Sequence, residues 1–312
     1  MLSQHRTAAT LVPANGVELE VIIEGTGEPV LLIQTALLAE EFAPLTREPA
    51  LRDRYQLIRY HRRGYAGSSP VHGPGSIERD AADCLALMTA LRTGPAHVVG
   101  LSYSGPIALR LAVDAADLVH SLTLLEPPPM HTPSEPQFRA ACAALVDDYH
   151  LRGPADAVNT FLTNIIGPNW RTAAADTIPE TPDRLIQDMA TFIGTDIPAL
   201  LAWTFSSQDA PHINQPVLHI GGSDSGPWFA DVRRLMLTWL PHADDVVLPG
   251  ANHSFAITHP HELATALAQF LRRHPIQHLR ERAARPGPVA PTHHALIDAG
   301  TQPATDPANP EV

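Results

Sequence analysis

The stretch VVGLSYSGPIALRLA, residues 98–112, runs from a continuous apolar segment through a short polar turn into an apolar pattern at helical spacing. An apolar run of this kind reads as a strand buried on both faces, and the segment after the turn reads as an amphipathic helix. A strand that turns sharply into a helix needs small residues two before and two after the turn residue, the pattern G-x-S-x-G. Around Ser102 the chain reads Gly100-Leu101-Ser102-Tyr103-Ser104-Gly105. The position before fits, and Ser104 keeps the position after small. For Ser104 the flanks would be Ser102 and Pro106, a poorer match. Pro106 is better placed in the first turn of the helix, where its missing N–H costs nothing. Ser102 is therefore the candidate nucleophile and Ser104 a small packing residue. The simpler alternative is a serine that only caps a helix.

The pattern continues in both directions. VELEVIIEG (17–25), VLLIQ (30–34), YQLIRYH (55–61), AHVVGL (96–101), VHSLTLLE (119–126), QPVLHIGG (215–222) and ADDVVLPG (243–250) read as strands. SIERDAADCLALMTALR (76–92), with Ser76 as N-cap, the segment after Ser102, WFADVRRLMLTWL (228–240) and HPHELATALAQFLRRH (259–274) read as helices. Strands alternating with helices predict an α/β fold, a mostly parallel central sheet covered by helices on both faces. Residues 127–212 are rich in proline and helical patterns without a clear strand, and predict an inserted helical cap. The core would then comprise residues 1–126 and 213–274. Residues 275–312 lack periodicity and predict a disordered tail.

The 312 residues are 44% hydrophobic, enough for one large domain with an insertion. A net charge of -12 argues against nucleic acid and anionic membrane as partners, because phosphate binding needs clustered Lys and Arg. The two cysteines, Cys84 and Cys142, sit in apolar helical patterns and predict buried, reduced thiols in a cytoplasmic protein. The opening MLSQHRTAATLVPANG has no apolar signal-peptide core, and no apolar run is long enough to cross a bilayer. There is no H-E-x-x-H, paired CxxC or phosphate loop, so no metal or cofactor is expected.

A serine nucleophile needs a base and an acid to orient it. His253, in LPGANHSF between the last strand and the last helix, is placed where a base could reach Ser102. His259 and His261 read as helix-start residues, since an HxH pair alone is weak evidence for a metal. Glu126 ends a buried strand and is followed by three prolines, a poor setting for a merely solvated charge. Its alternative role is to anchor the cap.

With YHRRGYAGSSP (60–70), the serine turn and the His253 loop in this order, residues 17–274 resemble the α/β-hydrolase family, and RRGYAGSS is similar to that family's R-G-x-G-x-S loop. The likeness is greatest to small-molecule, cap-bearing hydrolases such as esterases. It implies an oxyanion hole from the backbone N–H groups of Ala36 and Tyr103. Gln34-Thr35-Ala36 stands where the family often has His-Gly, so Gln34 is expected to add a side-chain donor or bind substrate. The family's usual acid position, after PVLHI, falls on Ser225, with Asp224 one residue early. Some relatives, certain haloalkane dehalogenases among them, place the acid after the strand that here ends at Glu126. Glu126 is set ahead of Asp224. Epoxide hydrolases and dehalogenases use an aspartate at the turn, so serine points instead to acyl transfer to water.

The expected activity is hydrolysis of a small, largely apolar carbonyl compound (an ester, lactone or thioester) under a cap that brings Trp203 to the substrate. A ligand-binding relative without turnover is the second reading. A triad enzyme with other chemistry, such as C–C hydrolysis or cofactor-free halogenation, is the third. The sequence specifies neither oligomeric state nor partner beyond a small-molecule substrate.

Overall fold

A computed structural model describes residues 8–165, 167–175 and 182–276. The expected tail lies outside these residues, apart from its first two positions. An eight-stranded sheet has the order β1-β2-β4-β3-β5-β6-β7-β8. The strands are β1 Thr10–Ala14, β2 Val17–Glu24, β3 Glu28–Ile33, β4 Tyr55–Tyr60, β5 Ala96–Leu101, β6 Val119–Leu125, β7 Val217–Gly222 and β8 Asp244–Leu248. From β4 to β8 every pairing is parallel, while β2 runs antiparallel to both β1 and β4.

The helices are α1 Ala43–Thr46, α2 Pro49–Arg52, α3 Ile77–Leu91, α4 Ser104–Asp114, α5 Glu135–Arg152, α6 Pro154–Ile165, α7 Trp170–Ala175, α8 Pro182–Thr191, α9 Ile197–Ala202, α10 Pro227–Trp239, α11 Phe255–Thr258 and α12 Pro260–Arg273. A π-helical turn, Phe192–Asp196, joins α8 to α9. Ser76 caps α3 by accepting from the Arg79 N–H at 3.1 Å. This satisfies one of the donors that a helix start leaves unpaired.

Strand alternation divides the central core in two. Leu31, Ile33, Val98, Leu122 and Leu124 pack with Cys84 and Leu87 of α3, Ile107 and Leu111 of α4, and Met236 of α10. Val30, Leu32, Val99, Leu101, Leu125 and Ile220 pack with Leu263, Leu267 and Phe270 of α12. Successive side chains point to opposite faces, so each apolar run supplies both layers. Every residue of β5 is buried, as a parallel strand covered on both sides requires.

Between β6 and β7 the described residues form helices and loops without a strand. Leu162, Trp170, Leu185, Phe192 and Ile197 of this stretch close a third apolar cluster over Leu37 and Leu38, just after β3, and Ile257 of α11. Cys84 and Cys142 are both buried, free thiols. No described helix is long and apolar enough to cross a membrane.

Candidate active site

The parallel register aligns the strand ends. Leu101 of β5 pairs with Leu125 of β6, and Leu125 pairs with Ile220 of β7. The next residues, Ser102 and Glu126, therefore emerge side by side at the carboxyl edge of the sheet, where open α/β sheets collect their ligands. The Ser102 N–H donates to the Leu125 carbonyl at 2.9 Å, and the Gly105 N–H donates to the Ser102 carbonyl at 2.8 Å. Ser102 has a φ of 49°. This left-handed backbone is uncommon for a residue with a side chain and is the strain of a sharp strand-to-helix turn.

Gly100 is required at that turn, because a Cβ there would lie 2.5 Å from the Ser104 carbonyl oxygen and 2.8 Å from the Ala108 side chain. Ser104 does more than pack. Its Oγ accepts from the Leu101 N–H at 2.8 Å and donates to the Ile33 carbonyl at 2.7 Å. A hydroxyl thus ties the start of α4 to the end of β3, a link that a glycine could not make.

Glu126 is 1% exposed and also holds a positive φ, 42°. One carboxylate oxygen accepts from the Gly222 N–H at 2.7 Å, and the other lies 2.7 Å from Nδ1 of His253. A carboxylate only accepts, so the imidazole donates from Nδ1 and turns Nε2 to the other side of the ring. His253 is 9% exposed, and one face of its ring is covered by Phe229 with centroids 4.0 Å apart and planes at 15°. Its loop is held by the Ser254 N–H on Asn252 Oδ1 at 3.0 Å and by Ser254 Oγ on the Ile165 carbonyl at 3.1 Å. Asp224, the other expected acid, is exposed, and its carboxylate accepts from the neighbouring Ser223 hydroxyl at 2.8 Å. It is Glu126 that the fold brings to the imidazole.

The model of the alpha/beta hydrolase family matches residues 35–266. The chain belongs to this family. It is 28% identical over 273 residues to polyketide synthase ThaQ of Burkholderia thailandensis, which covers 85% of this chain but 13% of that much longer protein. It is also 28% identical, over 282 residues, to "Putative carbamate hydrolase RutD" of Pseudomonas syringae pv. syringae, with 87% of this chain and 97% of that one covered. A thermophilic esterase from Thermogutta terrifontis has the same fold, with a TM-score of 0.73 at 20% identity, covering 86% of this chain and 100% of the esterase.

In this alpha/beta hydrolase the loop after β3 carries two of the other expected residues, Gln34 and Ala36. Among the described residues, the N–H groups of Ala36 and Tyr103 have no hydrogen-bond acceptor. Gln34 is buried, its side-chain carbonyl accepts from the Arg62 N–H at 2.7 Å, and its Nε2 has no hydrogen-bond partner among the described residues. Trp203 is buried too, stacked on Phe205 at 5.7 Å and set against His131 at 5.1 Å. His259 lies at the start of α12, and His261, in its first turn, pairs with Glu48 at 3.0 Å. Among the described residues no group of three His, Cys, Asp or Glu side chains could hold a metal ion.

A buried ion cluster beneath this loop is not among the sequence expectations, although Arg62 lies within the YHRRGYAGSSP stretch. Arg62 donates to Asp80 at 2.9 Å and to both carboxylate oxygens of Asp196, at 3.0 and 2.6 Å. Its partners sit 18 and 134 positions away along the chain, so only the folded chain brings them together. Burial raises the Asp80 pKa to about 6, against the opposing pull of Arg62.

Proposed function

We propose that this alpha/beta hydrolase is a serine hydrolase acting on a small, largely apolar carbonyl compound through an acyl-enzyme on Ser102. The observation that carries this reading is the 2.7 Å contact between His253 Nδ1 and Glu126, next to a serine held at positive φ on the adjoining strand end. His253 Nε2 takes the Ser102 proton as Oγ attacks the carbonyl. The Ala36 and Tyr103 N–H groups, which have no other acceptor among the described residues, receive the developing oxyanion. Collapse expels the leaving group, which takes the proton from the imidazolium. Water, deprotonated by the same nitrogen, then attacks the acyl carbonyl, and Ser102 Oγ leaves with the proton returned by the imidazolium as the acid is released. Glu126 fixes the tautomer and stabilises the imidazolium. Esters, lactones and thioesters all present such a carbonyl, and so do the carbamates named for the RutD relative.

The test is exposure of the wild type and Ser102→Ala to a fluorophosphonate, followed by intact mass. A single adduct on the wild type, absent from the variant, is expected. A folded wild type that takes up no adduct would sink the proposal and leave a binding role without turnover.

A further inference from the structure

The cap stretch and the loop after β3 meet in buried polar contacts rather than in apolar packing alone. The π-helical turn Phe192–Asp196 is pinned to the loop after β4: Thr195 Oγ1 donates to the Gly73 carbonyl at 2.9 Å, and the Gly75 N–H donates to the Thr195 carbonyl at 3.1 Å. Asp196, its last residue, is fully buried and accepts from two directions. One is the bidentate contact from Arg62. The other is the Tyr65 hydroxyl, at 2.6 Å.

Both partners reach the loop after β3. Arg62 Nε donates to the Gln34 carbonyl at 3.1 Å, and Nη2 donates to the Thr35 carbonyl at 3.3 Å. The Tyr65 hydroxyl accepts from the Leu37 N–H at 3.1 Å. Residues on both sides of Ala36 are therefore tied to one carboxylate. Leu37 has a φ of 61°, a strained conformation held in place by these contacts. The Arg62 guanidinium also lies over the Tyr103 ring, 4.4 Å from its centroid, so the same cation touches the residue that offers the second N–H. Burying one cation with two carboxylates is costly compared with an apolar packing of the same volume. The cluster's contribution is directional: a fixed placement for two backbone donors that lie far apart in the chain.

We infer that Arg62, Tyr65 and Asp196 are positioning residues of the oxyanion hole, through which the seating of Phe192–Asp196 sets the Ala36 and Tyr103 N–H groups. The inference rests on the acyl-enzyme mechanism through Ser102. It makes the π-helical turn part of the catalytic geometry: displacing Asp196 releases Arg62 and Tyr65 together and lets the loop turn its donor away. Pre-organised donors act in the transition state more than on bound substrate.

Tyr65→Phe removes one hydroxyl and leaves the ring in place. With a p-nitrophenyl acyl ester, kcat should fall at least about tenfold with KM nearly unchanged, and fluorophosphonate labelling of Ser102 should slow in parallel. Asp196→Asn keeps the size and one acceptor oxygen, and should show the same split if Tyr65→Phe proves unstable. Arg139→Gln removes cap contacts to Glu135 and to the Leu201 carbonyl that touch neither the Phe192–Asp196 turn nor the loop after β3, and its rates should stay within about twofold of wild type. Wild-type labelling rates in Tyr65→Phe and Asp196→Asn would overturn the inference while leaving the serine mechanism standing. So would an equal loss in Arg139→Gln, which would make the effect one of general cap seating. A wild type that is not labelled at all would overturn the acyl-enzyme mechanism, and this inference with it.

Discussion

Glu126 shows how one side chain can serve two strand ends. Its carboxylate spans the Gly222 N–H of β7 and the imidazole of His253, each at 2.7 Å. A Cβ at position 221 would approach the carboxylate oxygen to 3.1 Å and press on the acid's placement. Glu126→Gln keeps this shape but replaces an oxygen that can only accept with an amide that can donate, so Nδ1–H loses its obligatory acceptor and the wrong tautomer becomes available. Ester turnover should fall by about 10³-fold or more, the scale of loss when a triad acid becomes its amide. Asp224→Asn, altering an exposed side chain bonded to its neighbour, should change turnover by no more than about twofold. Comparing kcat of the two variants assigns the acid, and a larger loss in Asp224→Asn would reverse the assignment.

Among the elements, the join between β5 and α4 leaves no room for a side chain at Gly100. Gly100→Ala would drive a methyl to 2.5 Å from the Ser104 carbonyl, a backbone atom that cannot move without shifting the helix. Overpacking of this kind costs about 1–3 kcal/mol, so thermal unfolding should occur several degrees lower, and labelling of Ser102 should slow as the turn opens. An unchanged melting temperature would mean that the turn is looser than its contacts indicate. This join was legible in the sequence because a local pattern encodes it: apolar run, small residue, serine, small residue, helix. Strands β2–β8 and helices α3, α4, α10 and α12 were legible for the same reason. Edge strand β1 was missed, since Pro13 and its exposed positions hide the alternation. A signal for it existed: Asn15-Gly16, both at positive φ, is the turn that joins β1 to β2. The Ser104 bond to Ile33 and the Arg62 cluster were not legible as contacts. Each joins residues far apart in the chain through a polar atom, and no periodicity records such a contact.

For the whole molecule, pH resistance depends on buried groups outside the Ser102 site. His61, just after β4, is 3% exposed and lies between Glu20 at 2.7 Å and Glu40 at 3.1 Å, with Arg59 bonded to Glu40 at 2.6 Å. Burial opposes its charge, but the two carboxylates prevail and raise its pKa to about 9. The same contacts, with Arg59, overcome the cost of burial and hold Glu40 down at about 2. In the unfolded chain His61 titrates near its ordinary value of about 6.5. Below that value both states carry the proton and the full benefit of the pair is present. Between about 6.5 and 9 the folded state keeps a proton that the unfolded state has lost, so stability falls as pH rises, by up to about 1.4 kcal/mol per pH unit. The buried thiols, Cys84 pushed far up and Cys142 to about 11 by burial, add to this decline only where unfolded thiols begin to ionise. Urea unfolding between about pH 7 and 8 therefore reads chiefly the histidine: above the range where His97, His131 and His274, whose pKa values burial lowers, take up protons on unfolding, and below the range where the unfolded thiols ionise. The wild type should lose stability across this range. His61→Gln, which holds no proton to lose, should start less stable and give a flatter curve that converges on the wild type as pH rises. Parallel curves would mean that His61 is neutral in the folded protein and does not hold its proton between Glu20 and Glu40.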